Sequence, residues 1–196
     1  MKLILASASP RRAEILRNAG IPFETQITLL DESILPGELP GDYVRRLALE
    51  KARAAAEARP DRDDSIFIGA DTTVVMAREI LGKPESEEDA RRMLRLLSGA
   101  THEVHTGLAL VRSRDPLERV IEEVTLVSFA PLSEDEFDAY IATGEPFDKA
   151  GGYGIQGIAG RYVTRIEGCY FNVMGLPLAR LWSLLREFGW HDPAGA

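Results

Sequence analysis

The chain opens on a short unbroken apolar run, Leu3-Ile4-Leu5-Ala6, that stops at Ser7. A run of this length fits a strand buried on both faces. It is too short for the apolar region of a secretion signal, and the Arg11-Arg12 pair follows it instead of preceding it. The run leads into Ser9-Pro10 and the helical stretch Ala13 to Ala19, where Ser9 suits the N-cap, Pro10 the first helical position and Gly20 the position past the end. A second extended run, Phe23 to Leu30, ends at Asp31-Glu32, and a Pro/Gly-rich loop follows over Ser33 to Glu38. From about Asp42 to Arg59 the pattern is helical, with Tyr43, Leu47, Ala48, Lys51 and Ala52 recurring on one side.

The middle of the chain changes period. Ile66 to Met76 reads as a buried strand interrupted by a small-residue kink at Gly69-Ala70, and Ile80 to Pro84 as extended. Ser86 with Asp89, and Ser133 with Glu136, open two helices as capping boxes, which should end near Gly99 and Gly144. Between them, Glu103 to Arg112 and Arg119 to Ala130 predict an antiparallel pair joined by a charged turn with Pro116. A glycine-dense stretch from Asp148 to Gly160, holding five glycines, is too ordered a pattern for a linker. A strand near Arg161 to Ile166 and a last helix from about Gly175 to Phe188 complete the pattern. The expectation is one domain over residues 1–189, a flexible tail over 190–196, and an α/β fold whose sheet is mixed.

Composition narrows the partners. The 196 residues carry 31 acidic against 23 basic side chains, a net charge of -8, which argues against a nucleic-acid polymer or an anionic membrane surface. No stretch approaches the ~18 apolar residues of a membrane span. One cysteine, Cys169, permits neither an internal disulfide nor a cysteine zinc cage, so the cytoplasm is the default compartment.

Three groups of residues could carry chemistry. At the turn Ser7-Ala8-Ser9-Pro10-Arg11-Arg12, a strand feeds a helix N-terminus, whose open N–H groups and dipole favour an anion; two hydroxyls and two guanidinium forks would complete a phosphate cradle. The same turn also reads as a capped helix with solvated arginines. Asp71 is a carboxylate in an otherwise apolar strand, a costly placement unless it is paired, metal-bound or catalytic, although an Asp bonded to its own turn is the plainer alternative. With Asp31-Glu32 at the same sheet edge it would make a hard-oxygen site for magnesium or manganese. Lys51, Lys83 and Lys149 could join the arginine turn in holding a polyphosphate; each alone reads as a solvated side chain.

Other signals carry less. His102 and His105 are placed on opposite faces of a strand and make a poor metal pair. Cys169 reads as a small buried residue, and the glycine run lacks the Gly-Lys-Ser/Thr ending of a P-loop.

Taken in order, Ser7-Ala8-Ser9-Pro10-Arg11-Arg12, Asp31-Glu32, Glu50-Lys51-Ala52, Gly69-Ala70-Asp71-Thr72, Gly82-Lys83-Pro84, Asp148 to Gly157 and Gly175-Leu176-Pro177 resemble the Maf family of nucleoside triphosphate pyrophosphatases, over about Leu3 to Gly189. The resemblance implies the inosine-triphosphatase-like (Maf/Ham1) fold: an elongated mixed sheet flanked by helices, with a cleft between two lobes. It implies hydrolysis between the α and β phosphates, with Asp71 as proton acceptor, Glu32 and Asp71 toward a Mg2+ or Mn2+ ion, and Ser7, Ser9, Arg12, Lys51 and Lys83 on the phosphates. A nucleotide diphosphatase reaction of this kind needs a base, a line of attack and positive charge on the leaving group. Arg11, Thr72 and Gln156 match the trio that divides the family, and resemble the branch acting on dTTP and UTP. Gln156 offers both a donor and an acceptor to the O4 and N3–H edge of thymine or uracil.

The readings set beside this one are a pyrophosphatase for 7-methyl-GTP or another noncanonical nucleotide, and a nucleotide-binding regulator of division, in line with the family's older association with septum formation. A homodimer follows from the family and not from residue patterns.

Overall fold

In the computed structural model, which describes residues 1–59, 64–113 and 117–192, the opening apolar run is β1 (Lys2–Leu5), followed by α1 (Pro10–Asn18), β2 (Glu24–Thr25) and α2 (Pro40–Glu57). Next come β3 (Ser65–Met76), β4 (Glu79–Leu81), α3 (Glu87–Leu97), β5 (Thr101–Arg112), β6 (Glu118–Phe129) and α4 (Glu134–Ile141). Three tight helical turns at Glu145–Asp148, Ala150–Gly152 and Ile158–Tyr162 lead to β7 (Val163–Glu167), α5 (Tyr170–Val173) and α6 (Leu178–Glu187). The strands form one seven-stranded sheet in the order β2-β1-β3-β5-β6-β7, with β4 paired to β3. β1 is parallel to β2 and β3, whereas β4 is antiparallel to β3 and β7 to β6, so the sheet is mixed as the pattern predicts.

The chain forms two compact units. The first comprises Met1–Asp71, Thr106–Glu123 and the segment from Gly175 onward; the second comprises Thr72–His105 and Val124–Met174. In the first, the small-residue face of α2 (Ala48, Ala52, Ala55) packs with Ile4, Ala6, Phe67, Ala109 and Val111. The contact is unusually close. A Cβ on Gly69 of β3 would lie 2.0 Å from the Ala48 carbonyl oxygen, and one on Gly107 of β5 would lie 2.0 Å from that of Val44. Gly69 is therefore not a kink; β3 runs unbroken for 12 residues, and the glycine is where the helix backbone rests on it.

The second unit has an aromatic core. His102, Phe129 and Tyr153 meet edge to face, with centroids 4.8 to 5.3 Å apart. The His102 Nε2 and the Tyr153 hydroxyl are 2.7 Å apart. Burial depresses the His102 pKa to about 4, so this ring is neutral when folded at pH 7. The hairpin joining β3 to β4 turns through Ala77 and Arg78, both at positive φ, where asparagine or glycine is the usual choice.

Several expectations shift. The extended run 23–30 pairs only at Glu24–Thr25; Ile27 and Leu29 are exposed beyond it. α2 starts and ends two residues earlier than the pattern suggested, and the short helix α5 carried no periodic signal. Ser9 occupies the N-cap of α1, but its side chain makes no capping bond. Ser86 and Ser133 do cap α3 and α4, the latter in a full capping box. Trp190 is buried against Trp182 and its N–H bonds the Leu185 carbonyl, so the expected tail does not begin at 190. The rest of that tail from 193, the turn with Pro116 and residues 60–63 lie outside the described residues. Among the described residues no helix is long and apolar enough to cross a membrane.

Two outcomes test this packing. Gly107→Ala should cost about 1–3 kcal/mol, because the added methyl meets helix backbone and not a flexible side chain; an unchanged urea midpoint would refute the close approach. For His102, the folded state binds fewer protons than the unfolded one between pH 6.5 and about 4. Its contribution is therefore full above pH 6.5 and is lost as the pH falls through that window, by up to about 3 kcal/mol. His102→Gln should lose less thermal stability than the wild type between pH 7.5 and 4.5, and equal losses would refute the assignment.

Candidate active site

The end of β1 delivers Ser7 into the turn before α1. Its hydroxyl accepts from the Ser9 N–H at 3.2 Å and from Arg12 Nη1 at 3.1 Å, while Arg12 Nε donates to the Gly175 carbonyl at 2.7 Å. Arg12 is buried, and burial lowers its pKa against the opposing pull of Asp71 and Glu32. The guanidinium is thus anchored by one end to the turn and by another to the chain before α6. Arg11, beside it, is half-buried. With no side chain capping α1, the turn offers backbone N–H groups at the positive end of the helix dipole.

The close seating of α2 brings its Lys51 to the edge of β3. The Lys51 ammonium lies 2.6 Å from Asp71 Oδ1 and 2.6 Å from Glu32 Oε1. Lys51 and Asp71 are both buried, whereas about half of the Glu32 side chain is exposed. Asp71 Oδ2 accepts no hydrogen bond from a described residue. A buried ion pair of this kind is held by geometry, since removing either partner strands the other charge.

Glu32, expected at the end of an extended run, sits instead in a loop that continues to Glu38, and the structure shows what holds it. Arg46 of α2 grips Glu38 with two bonds, Nε to Oε1 at 2.6 Å and Nη2 to Oε2 at 2.8 Å, and also donates to the Ser33 carbonyl at 3.0 Å. This pairing holds the Glu38 carboxyl below its usual range and the Arg46 guanidinium above it. Tyr43, one helical turn earlier, donates its hydroxyl to the Glu32 carbonyl at 3.0 Å. Burial, then the charges of Asp71 and Glu32, push that phenol up to about 12. The i, i+3 spacing of Tyr43 and Arg46 on α2 was readable; their loop partners were not.

In the second unit, Thr72 follows Asp71 directly on β3. The Gly151 N–H bonds the Gly82 carbonyl at 2.9 Å, tying the glycine run to the Gly82-Lys83-Pro84 segment. Lys83 and Gln156 are exposed and bond no other described residue. Lys149 does not join the polyphosphate group proposed for it: its ammonium is committed to the Glu145 carbonyl and to Asp148. Cys169 is half-exposed at the N-cap of α5, and His105 pairs with Glu103 at 2.7 Å.

The family profile described as Maf-like protein matches residues 2–188. The chain belongs to the Maf family. A relative from Hahella chejuensis is 50% identical over 194 residues, covering 97% of this chain and 96% of that one. Relatives from Koribacter versatilis (51% identical, 96% and 95% covered) and Symbiobacterium thermophilum (49%, 96% and 95%) are as similar. All three are named dTTP/UTP pyrophosphatase. Among solved structures, that of the Staphylococcus aureus Ham1 protein superposes with a TM-score of 0.43 at 14% identity, over 66% of this chain and 72% of that one.

A divalent cation can be tested against this Maf site. Oxygens of Glu32 and Asp71 converge within 2.6 Å of a single point, the one taken by the Lys51 ammonium. The described residues gather no group of three or more His, Cys, Asp or Glu side chains around it. An ion such as Mg2+, which takes one or two carboxylates and completes its shell with phosphate oxygens and water, would use these two acids in place of the Lys51 ammonium.

The Arg46 clamp is checked by Arg46→Met. Losing the charge-assisted bonds should raise amide exchange across 33–38 by roughly tenfold or more, with α2 unaffected; unchanged exchange would show that the loop is held some other way.

Proposed function

We propose that the protein hydrolyses dTTP and UTP to the nucleoside monophosphate and pyrophosphate. The observation that carries this reading is the buried Lys51–Asp71 pair, whose ammonium steadies one carboxylate oxygen at 2.6 Å while the other bonds no described residue. The names of relatives about half identical over nearly the whole chain support the same substrates.

In this reading Asp71 takes the proton of the attacking water. The water oxygen bonds to the α phosphorus, the bond from that phosphorus to the bridging oxygen breaks, and its electrons leave with pyrophosphate. Arg12 is buried and fixed at Ser7 and Gly175, so it presents its charge without reorganising during the reaction. The N-terminus of α1 adds backbone N–H groups to the same phosphate chain. Lys83 contributes further positive charge. Glu32 and Asp71, with phosphate oxygens, would hold a Mg2+ or Mn2+ ion, which would supply positive charge to the leaving pyrophosphate. Arg11, Thr72 and Gln156 select the base, the Gln156 amide matching the acceptor O4 and donor N3–H of a uracil or thymine ring. Free nucleotides as substrates agree with a net charge of -8, which disfavours polymers, and with action in the cytoplasm.

Asp71→Asn keeps shape and a hydrogen-bond acceptor for Lys51 but removes the base. It should lower kcat for pyrophosphate release from dTTP by about 100-fold or more while calorimetry still detects nucleotide binding. Hydrolysis at the wild-type rate would sink the assignment. Chelation by EDTA should abolish release, with Mg2+ or Mn2+ restoring it. In a panel of triphosphates, a preference for 7-methyl-GTP over dTTP and UTP would overturn the base assignment.

A further inference from the structure

Gln156 lies on a four-residue turn, closed by the Gly157 N–H donating to the Gly154 carbonyl at 3.0 Å. Exposed side chains on such turns ordinarily sample many positions, and base selection needs an amide held in one. The structure shows a clasp around this turn. Tyr140, fully buried in α4, donates its hydroxyl to Glu145 Oε1 at 3.2 Å, and Glu145 Oε2 accepts the Ile158 N–H at 3.0 Å. One hydrogen-bond chain thus runs from Tyr140 through Glu145 to Ile158, immediately past the end of the turn.

Sterics repeat the message. A Cβ on Gly157 would lie 2.0 Å from Glu145 Oε1, and one on Gly154 would lie 2.7 Å from Lys149 Cε. Both ends of the turn therefore rest directly on the side chains that clasp it. Lys149 is itself pinned, its ammonium donating to the Glu145 carbonyl at 2.7 Å. The anchor beneath is rigid: the Tyr140 ring stacks edge to face on Tyr162, 6.2 Å between centroids, within the core of the second unit.

We infer that Tyr140 and Glu145 are positioning residues for base selection, holding the Gly154–Gly157 turn so that the Gln156 amide faces a pyrimidine edge. The inference rests on the proposed reading of Gln156. It extends specificity from the residue that meets the base to the buried pair that aims it.

The test compares Glu145→Ala, Glu145→Gln, Tyr140→Phe and Gln156→Ala by steady-state pyrophosphate release with dTTP, UTP and GTP, alongside amide exchange of the intact protein. Glu145→Ala should raise KM for dTTP and UTP about tenfold, leave kcat within about twofold, and shrink the preference for dTTP over GTP by a similar factor. Exchange at Gly157 and Ile158 should quicken, with the rest of the second unit unchanged. Glu145→Gln, whose amide oxygen can still accept the Ile158 N–H, should recover most of the preference. Tyr140→Phe keeps the buried ring and should shift KM in the same direction; it carries the test if Glu145→Ala does not fold. Unchanged KM and base preference in Glu145→Ala and Tyr140→Phe, while Gln156→Ala loses that preference, overturn the inference and leave the reading of Gln156 intact. Retention of base preference by Gln156→Ala removes that reading and the inference with it.

Discussion

The backbone of α2 lies directly on β3 and β5 because Gly69 and Gly107 present no side chain there, and the first unit is organised by that contact. A helix normally stands off a sheet by the thickness of two side-chain layers. Here the carbonyls of Val44 and Ala48 occupy space that a methyl group would need, and the alanines of α2 fill what remains. Two residues beyond Gly69 on β3 comes Asp71, and three beyond Ala48 on α2 comes Lys51. A lysine has reach to spare in an ordinary packing; in this one it stays buried and meets a buried carboxylate at hydrogen-bond distance. The glycines are thus chemical as well as structural residues, since they set the separation at which the ion pair forms.

The same helix supplies the second acid. Arg46 and Tyr43 stand on the face of α2 beside Lys51 and draw the 31–38 loop inward, so that Glu32 reaches the ammonium from the loop side while Asp71 reaches it from the strand side. Two acids would repel each other at this separation without the cation between them. Lys51 therefore lets both carboxylates stay close, and Arg12, fixed between Ser7 and Gly175, adds a second buried positive charge nearby. A protein with eight excess negative charges can still meet a polyphosphate when its buried cations are held in place and need not be gathered.

Much of this was legible from residue order alone. The mixed α/β class and the capped helices α3 and α4 follow from periodicity and caps, while the grouping of Ser7, Arg12, Glu32, Lys51 and Asp71 was implied by the resemblance to the Maf family. What stayed hidden depends on partners distant in the chain. Gly69 looked like a break because glycine in a strand has two meanings, a bend or a close approach, and only the helix lying on it decides between them. Lys149 looked available because its sequence neighbours do not reveal that the Glu145 carbonyl captures it. The run 23–30 looked like a full strand because apolar residues such as Ile27 and Leu29 also occur on exposed loops. His102 likewise gave no sign of Tyr153, which is 51 residues away and shares its hydrogen bond.

The two kinds of site residue differ in how they are held, and that difference has a consequence for how the protein can change. Ser7, Arg12, Lys51 and Asp71 sit on or beside β1, α1, α2 and β3, are largely buried, and are bonded in two pairs, Ser7 with Arg12 and Lys51 with Asp71. Altering one leaves an uncompensated charge or an empty donor in a tightly packed interior, so these positions tolerate little. Gln156 is exposed on a turn whose geometry is kept by backbone N–H groups and by Tyr140 and Glu145. Its side chain takes no part in that clasp, so another residue could stand at 156 without loosening the turn. In the proposed function, phosphate chemistry is thereby built into the core, while the choice of base is carried by a side chain that the fold supports but does not need.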